Sequence, residues 1–151
     1  MPYIRAEKPA DGQNLTFSEL PKLGDDRAAL IVMRGEFNYL LMNKFPYNAG
    51  HLMALPYRAA AGLDALSAQE RADLMEMILK GQQLLQRALE PDGFNIGFNF
   101  GRSAGAGIPN HLHCRIVPRW GGDTNFMPVL ANTRVLPEAL DKMWEHLTKF
   151  A

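Results

Sequence analysis

His111, His113 and Arg115 stand at alternate positions in the run Asn110-His-Leu-His-Cys-Arg-Ile-Val-Pro-Arg-Trp120. Alternate residues of a strand share a face, so a strand over 110–120 sets His111, His113, Arg115, Val117 and Arg119 on one side. Leu112, Cys114, Ile116 and Pro118 fall on the other, which reads as core. On the polar side two imidazoles and a guanidinium follow one another with Cβ atoms roughly 6.5–7 Å apart, a spacing suited to gripping phosphate oxygens. Phosphoryl chemistry needs a nucleophile or a positioned water, stabilisation of the transferred charge and a route for the leaving group's proton. Neutral imidazole is nucleophilic, and an arginine beside His113 lowers its pKa and keeps it unprotonated.

Two other readings of the same residues stand beside this one. His-x-His on a strand, joined by a third histidine such as His51, can ligate zinc, although no carboxylate or cysteine cluster completes such a set. The blander reading is an exposed strand face whose polar groups meet solvent. The loop Gly101-Arg-Ser-Ala-Gly-Ala-Gly107 feeds the strand, and its glycines can present backbone N–H groups to an anion; their weight comes from adjacency to the histidines. Trp120 can stack on a base or pack in a core or interface. His146, in the last helix, is read as structural.

The elements that must position these groups follow from periodicity. Ala29–Met33 and Phe37–Met42 flank Arg34-Gly-Glu36 as a hairpin, and His51–Leu55 is a third strand stopped by Pro56. Ser67-Ala-Gln-Glu70 has capping-box spacing. It predicts a helix with Leu74, Met77, Ile78, Gly81, Leu84, Leu85 and Ala88 on its buried stripe, ending before Pro91-Asp-Gly93. Phe94, Ile96, Phe98 and Phe100 alternate with Asn95, Gly97 and Asn99, a strand whose second face is small and polar enough to line a pocket. Pro137 suits the first turn of a last helix with Leu140, Met143, Leu147 and Phe150 buried. The class is α+β: a mainly antiparallel sheet of about five strands, one long central helix and a C-terminal helix. Residues 1–151 read as a single domain, with 1–26 an extended N-terminal arm.

Sixteen basic and sixteen acidic residues cancel, so nothing draws the chain to nucleic acid or an anionic membrane, and any anion must be recognised locally. A single cysteine, Cys114, precludes an intrachain disulfide and suits a reducing, cytoplasmic setting. No signal-peptide pattern or membrane-length apolar run is visible.

From about Ala29 onward the chain resembles the histidine-triad (HIT) family of nucleotide hydrolases and transferases. His111-Leu-His113-Cys-Arg115-Ile-Val117 matches the family's His-φ-His-φ-His-φ-φ strand except at the third histidine. Asn43-Lys-Phe-Pro-Tyr-Asn-Ala-Gly-His51 is similar to its ribose-side segment. Val117–Phe126 is similar to the branch near bacterial diadenosine-tetraphosphate phosphorylases. The resemblance implies a HIT-like fold and attack of the middle histidine, His113, on an α-phosphate, with water or phosphate resolving the nucleotidyl-histidine. It implies that His111 supports His113, Asn43 meets the ribose, Asn99 and the Gly107 backbone hold phosphate oxygens, His51 lines the pocket and Trp120 packs near a base. It also implies a homodimer acting on a nucleotide or dinucleoside polyphosphate, without a cofactor. Arg115 departs from the family because a guanidinium holds its proton. The alternative is a nucleotide-binding module with little turnover. Tyr3-Ile-Arg-Ala6 stands where many relatives carry a Cys-x-x-Cys zinc motif, so structural zinc is not expected.

Overall fold

The computed structural model describes residues 15–124 and 139–151. The elements run α1 (Asp26–Ala29), β1 (Ile31–Arg34), β2 (Asn38–Met42), β3 (Leu52–Pro56), α2 (Ala68–Leu89), β4 (Gly93–Phe98), β5 (Cys114–Arg119) and α3 (Leu140–Thr148). The five strands form one sheet in the order β1-β2-β3-β5-β4, and every neighbouring pair is antiparallel. The expected α+β class and strand count hold.

Helix α2 begins as its sequence dictates. The Ser67 hydroxyl accepts from the Glu70 N–H at 3.1 Å, and the Glu70 carboxylate accepts from the Ser67 N–H at 2.7 Å, satisfying two donors that a helix start leaves open. Its stripe of Leu74, Met77, Ile78, Gly81, Leu84 and Leu85 is buried against the sheet. Gly81 sets the separation: a Cβ there would lie 2.8 Å from Ile116 Cδ1 and 3.0 Å from Leu40 Cδ2, so the bare backbone lets α2 lie close over β2 and β5. Met143 and Leu147 of α3 complete this core. Trp144 Nε1–H donates to the Ile31 carbonyl at 2.8 Å and pins α3 to β1.

The opposite face of β1–β3 carries a second cluster, Ala29, Ile31, Tyr39, Leu41, Met53 and Leu55, covered by Phe17, Leu20, Leu30 and Tyr57. Burial on both faces explains why β2 and β3 read as continuous apolar runs instead of alternating. It also corrects the extended arm expected over 1–26. Its described part turns, with a 3-10 helix at Leu20–Lys22 and α1 capped by the Asp25 carboxylate, because its apolar residues have this cluster to cover. Strand β1 starts at Ile31 and not at Ala29, since Leu30 adopts a left-handed φ of 60° that closes α1. Residues 1–14, including Tyr3–Ala6, lie outside the described residues, as do Phe126 and Pro137.

Candidate active site

Strand β5 runs over Cys114–Arg119, so the strand expected over 110–120 is shorter at both ends. Residues 111–113 leave the ladder because their backbone pairs elsewhere: the Leu112 N–H donates to the Ala60 carbonyl at 2.7 Å, and the His111 N–H reaches Ile108 O at 3.4 Å. The expected sidedness survives within the strand. Cys114 and Ile116 pair with Ala54 and Leu52 of the α2-side core, while Arg115 pairs with Met53 of the opposite cluster.

The two histidines are not on a solvated face. His111 and His113 are 4% and 7% exposed, which overturns the reading of polar residues meeting water. His111 Nε2–H donates to the Pro56 carbonyl at 2.7 Å, and His113 Nδ1–H donates to the His111 carbonyl at 2.9 Å. A carbonyl only accepts, so each bond fixes a tautomer; in neutral His113 the lone pair is on Nε2. Burial holds the His113 pKa below the usual histidine value, opposed by its backbone hydrogen bond and reinforced by the charges of Arg115 and His111. Burial likewise lowers that of His111. His113 is therefore neutral near pH 7, the form in which an imidazole is nucleophilic.

Phe17 joins the site without any signal in the sequence. Its ring stands edge-on to both imidazoles, with centroids 5.4 Å from His111 and 5.6 Å from His113. The Tyr39 hydroxyl donates to the Phe17 carbonyl and holds the segment there. Phe17 lies in a Pro- and Gly-punctuated stretch without periodicity, and no local pattern connects it with residues almost a hundred positions away.

Arg115 extends beneath Tyr47, with its guanidinium carbon 5.6 Å from the ring centroid. Its Nη2 is 3.5 Å from the Gly105 carbonyl, and its buried Nε–H has no partner among the described residues. In the sheet it faces Gly97 of β4, where an added Cβ would meet nothing within 4 Å, so space remains beside the guanidinium. The neighbouring loop needs its glycines. Gly101 and Gly105 have φ of 78° and 85°, and a Cβ on Gly105 would lie 3.3 Å from Asn99 Nδ2. Asn99 and Arg115 thus both approach Gly105, and Gly107 follows in the same exposed loop.

Asn43 and His51 lie beside each other. Asn43 Nδ2 is 3.5 Å from His51 Nε2, Asn43 Oδ1 accepts from the Phe45 N–H at 2.8 Å, and the Tyr47 N–H donates to His51 Nδ1 at 3.1 Å. His51 stacks obliquely on Tyr47 at 4.8 Å, so it reaches Arg115 through that ring. It forms no three-donor metal group with His111 and His113, as no such group of histidine, cysteine or carboxylate exists among the described residues.

Arg119 does not join the histidines. It donates to both oxygens of Asp123 at 2.7 and 2.9 Å and to Asn95 Oδ1 at 2.7 Å. The Arg119 guanidinium holds the Asp123 carboxyl well below the usual carboxylate range. Asp123 also accepts from Asn48 Nδ2 at 2.7 Å and from the Trp120 N–H at 3.1 Å, so one carboxylate ties the 43–51 loop to Trp120. On β4 the alternation holds imperfectly. Phe94 and Phe98 pack on the core, whereas Ile96 is 40% exposed and Phe100 lies in the open, because β4 is the sheet edge.

The HIT domain model matches residues 26–122, from α1 to the turn after β5. The chain belongs to the HIT family. It is 43% identical over 124 residues to an AP-4-A phosphorylase of Mycobacterium tuberculosis, an alignment covering 82% of this chain and 63% of that protein. It is 30% identical over 111 residues to an asymmetrical bis(5'-nucleosyl)-tetraphosphatase of Schizosaccharomyces pombe, covering 74% of this chain and 58% of the relative. The chain thus spans less than two thirds of the length of these curated relatives. A solved structure of a histidine triad nucleotide-binding protein from Sulfolobus tokodaii superposes with a TM-score of 0.69 at 25% identity, covering 90% of this chain and 88% of that one. The HIT fold carries the His111–Arg115 segment here.

Proposed function

We propose that the protein is a HIT-type nucleotidyl hydrolase or phosphorylase acting on dinucleoside polyphosphates or related nucleotide phosphoesters through an intermediate on His113. One observation carries this reading: the Nδ1–H of His113 is committed to the His111 carbonyl, so the buried neutral ring keeps its Nε2 lone pair for phosphorus. The two relatives named for tetraphosphate cleavage support the substrate class. Arg115 stabilises the charge of the transferred group, and His111 positions the nucleophile through its carbonyl. Asn99 and the Gly107 backbone hold phosphate oxygens, Asn43 meets the ribose, His51 lines that side, and Trp120 packs near a base.

A homodimer in the cytoplasm belongs to the same proposal. Its support is the single cysteine and the open edge of β4 with exposed Ile96, a surface suited to a second copy. No described helix is long and apolar enough to cross a membrane.

The test is incubation with diadenosine tetraphosphate, with and without inorganic phosphate, of wild type and His113→Ala. Cleavage and a mass-detected nucleotidyl adduct on wild type alone are expected. Equal inactivity of both proteins on a panel of such substrates overturns the proposal.

A further inference from the structure

We infer that Tyr47 is a positioning residue for Arg115: its ring seats the guanidinium beside His113 and leaves the positive charge uncancelled. This rests on the reading above in which Arg115 stabilises the charge of the transferred group. Tyr47 itself lies outside β5, in the loop between β2 and β3.

A long side chain that must present its charge at a fixed point needs something to hold it, and the common partner of an arginine is a carboxylate. Arg27, Arg34, Arg58 and Arg119 are held in this way by Glu145, Asp26, Glu70 and Asp123. Arg115 enters no ion pair among the described residues. A carboxylate beside it would steady the side chain but cancel its field and occupy its N–H groups. An aromatic face attracts a cation through the ring quadrupole and does neither. Tyr47 supplies such a face, with the Arg115 guanidinium carbon 5.6 Å from its ring centroid.

The other supports of Arg115 are slight. Its Nη2 reaches the Gly105 carbonyl only at 3.5 Å. Across the sheet it stands between Met53, whose sulfur takes the Asn43 amide at 3.7 Å, and Gly97, which has no side chain to offer. The ring of Tyr47 thus decides where the guanidinium lies, and the buried Nε–H, without a partner among the described residues, is left for an oxygen of the substrate. Burial first, and then the charge of Arg115, act on the His113 pKa, so the cation is within electrostatic reach of that ring.

Tyr47 is fixed in its turn by His51, which is 1% exposed. The Tyr47 N–H donates to His51 Nδ1 at 3.1 Å, and the two rings meet at 4.8 Å. Asn48 ties the next residue of the loop to the Pro118 carbonyl and to Asp123. Tyr47 is only half-buried, so leucine can replace it without opening the core.

Single-turnover cleavage of diadenosine tetraphosphate and formation of the His113 adduct are measured in the full chain for wild type, Tyr47→Leu, Tyr47→Phe, Arg115→Gln and the Tyr47→Leu, Arg115→Gln double variant. The Arg115 Nε–H resonance, identified by its loss in Arg115→Gln, is followed in parallel and needs no turnover. Tyr47→Leu is expected to lower the rate at saturating substrate by about 3–30-fold, the range of one cation–π contact, with a smaller change in the concentration that half-saturates. Tyr47→Phe keeps the face and should restore the rate to within about twofold. In the Arg115→Gln background the same Tyr47→Leu change should cost no more than about twofold, because the residue it positions is gone. The resonance should move in Tyr47→Leu and keep its place in Tyr47→Phe. No loss in Tyr47→Leu, an equal loss in both backgrounds, a Tyr47→Phe as slow as Tyr47→Leu, an unmoved resonance, or an Arg115→Gln as fast as wild type each overturns the inference while leaving His113 catalysis standing. An uncut tetraphosphate with no adduct on wild-type His113 overturns the proposed function, and the catalytic part of Tyr47 with it.

Discussion

The Nδ1–H of His113 is bonded to the backbone carbonyl of His111, two residues earlier, at 2.9 Å. The first histidine therefore supports the second through its main chain, while its ring is turned to Pro56. Replacing the two residues should have unequal effects. His113→Ala removes the proposed nucleophile and should lower kcat by about 10⁴-fold or more. His111→Ala keeps the carbonyl and loses only the packing that aims it, so a loss of about 10–100-fold is expected. Single-turnover kinetics with adduct detection measures both, and equal losses contradict the arrangement.

Phe17 shields both imidazoles. Phe17→Ala should admit water to His113, raise its pKa toward about 6.5 and shift the acid limb of the pH–rate profile upward. Thermal stability should fall by about 1–3 kcal/mol, less than the loss for a fully buried phenylalanine. Phe17→Leu should restore much of the stability. An unmoved acid limb in Phe17→Ala means that the ring does not set the environment of His113.

Folding stability should depend on pH near neutrality. The folded pKa of both site histidines is lowered by burial, so between that value and about 6.5 the unfolded chain binds more protons. Stability is then fully present above about pH 6.5 and declines as pH falls through this window. Melting curves at pH 7.5, 6.5 and 5.5 should show the decline, and His111→Asn with His113→Asn should flatten it. A slope unchanged in the double variant locates the dependence elsewhere.

Asp123 accepts from Arg119, Asn48 and the Trp120 N–H. Asp123→Asn gives up charge-assisted bonds on both sides and should loosen Trp120 without opening the α2 core. Trp120 emission, read in a Trp144→Phe background, should shift toward the solvent-exposed value, with KM rising more than kcat falls. An unaltered Trp120 signal with unaltered KM counts against Asp123 as the tie between the two loops.

The α2 cap gives a purely structural check. Ser67→Ala removes the acceptor for the Glu70 N–H and should cost about 1 kcal/mol in denaturant unfolding with little effect on kcat. A loss of activity at unchanged stability is the outcome that contradicts this assignment.

Local chemistry was readable in the residue order. The capping box at Ser67, the 3.6-residue stripe through Gly81 and the alternation of Arg115 against Cys114 and Ile116 each depend on neighbours within a few positions. The fold class and the histidine pair could be named from such patterns because helix and strand impose a period on which side chains meet the core. The burial of His111 and His113, the Pro56 and Phe17 contacts on their rings, the Tyr47 support under Arg115 and the Asp123 tie between two loops could not. These contacts join residues that the chain separates by up to nearly a hundred positions, and no periodicity links such partners. The same separation explains the shortened strand: a ladder at 111–113 competes with the Ala60 carbonyl, which becomes a neighbour only once β3 and β5 have paired. Residue order thus supplied an imidazole and a cation at alternate positions, whereas long-range packing made one neutral and left the other with an Nε–H that has no partner among the described residues.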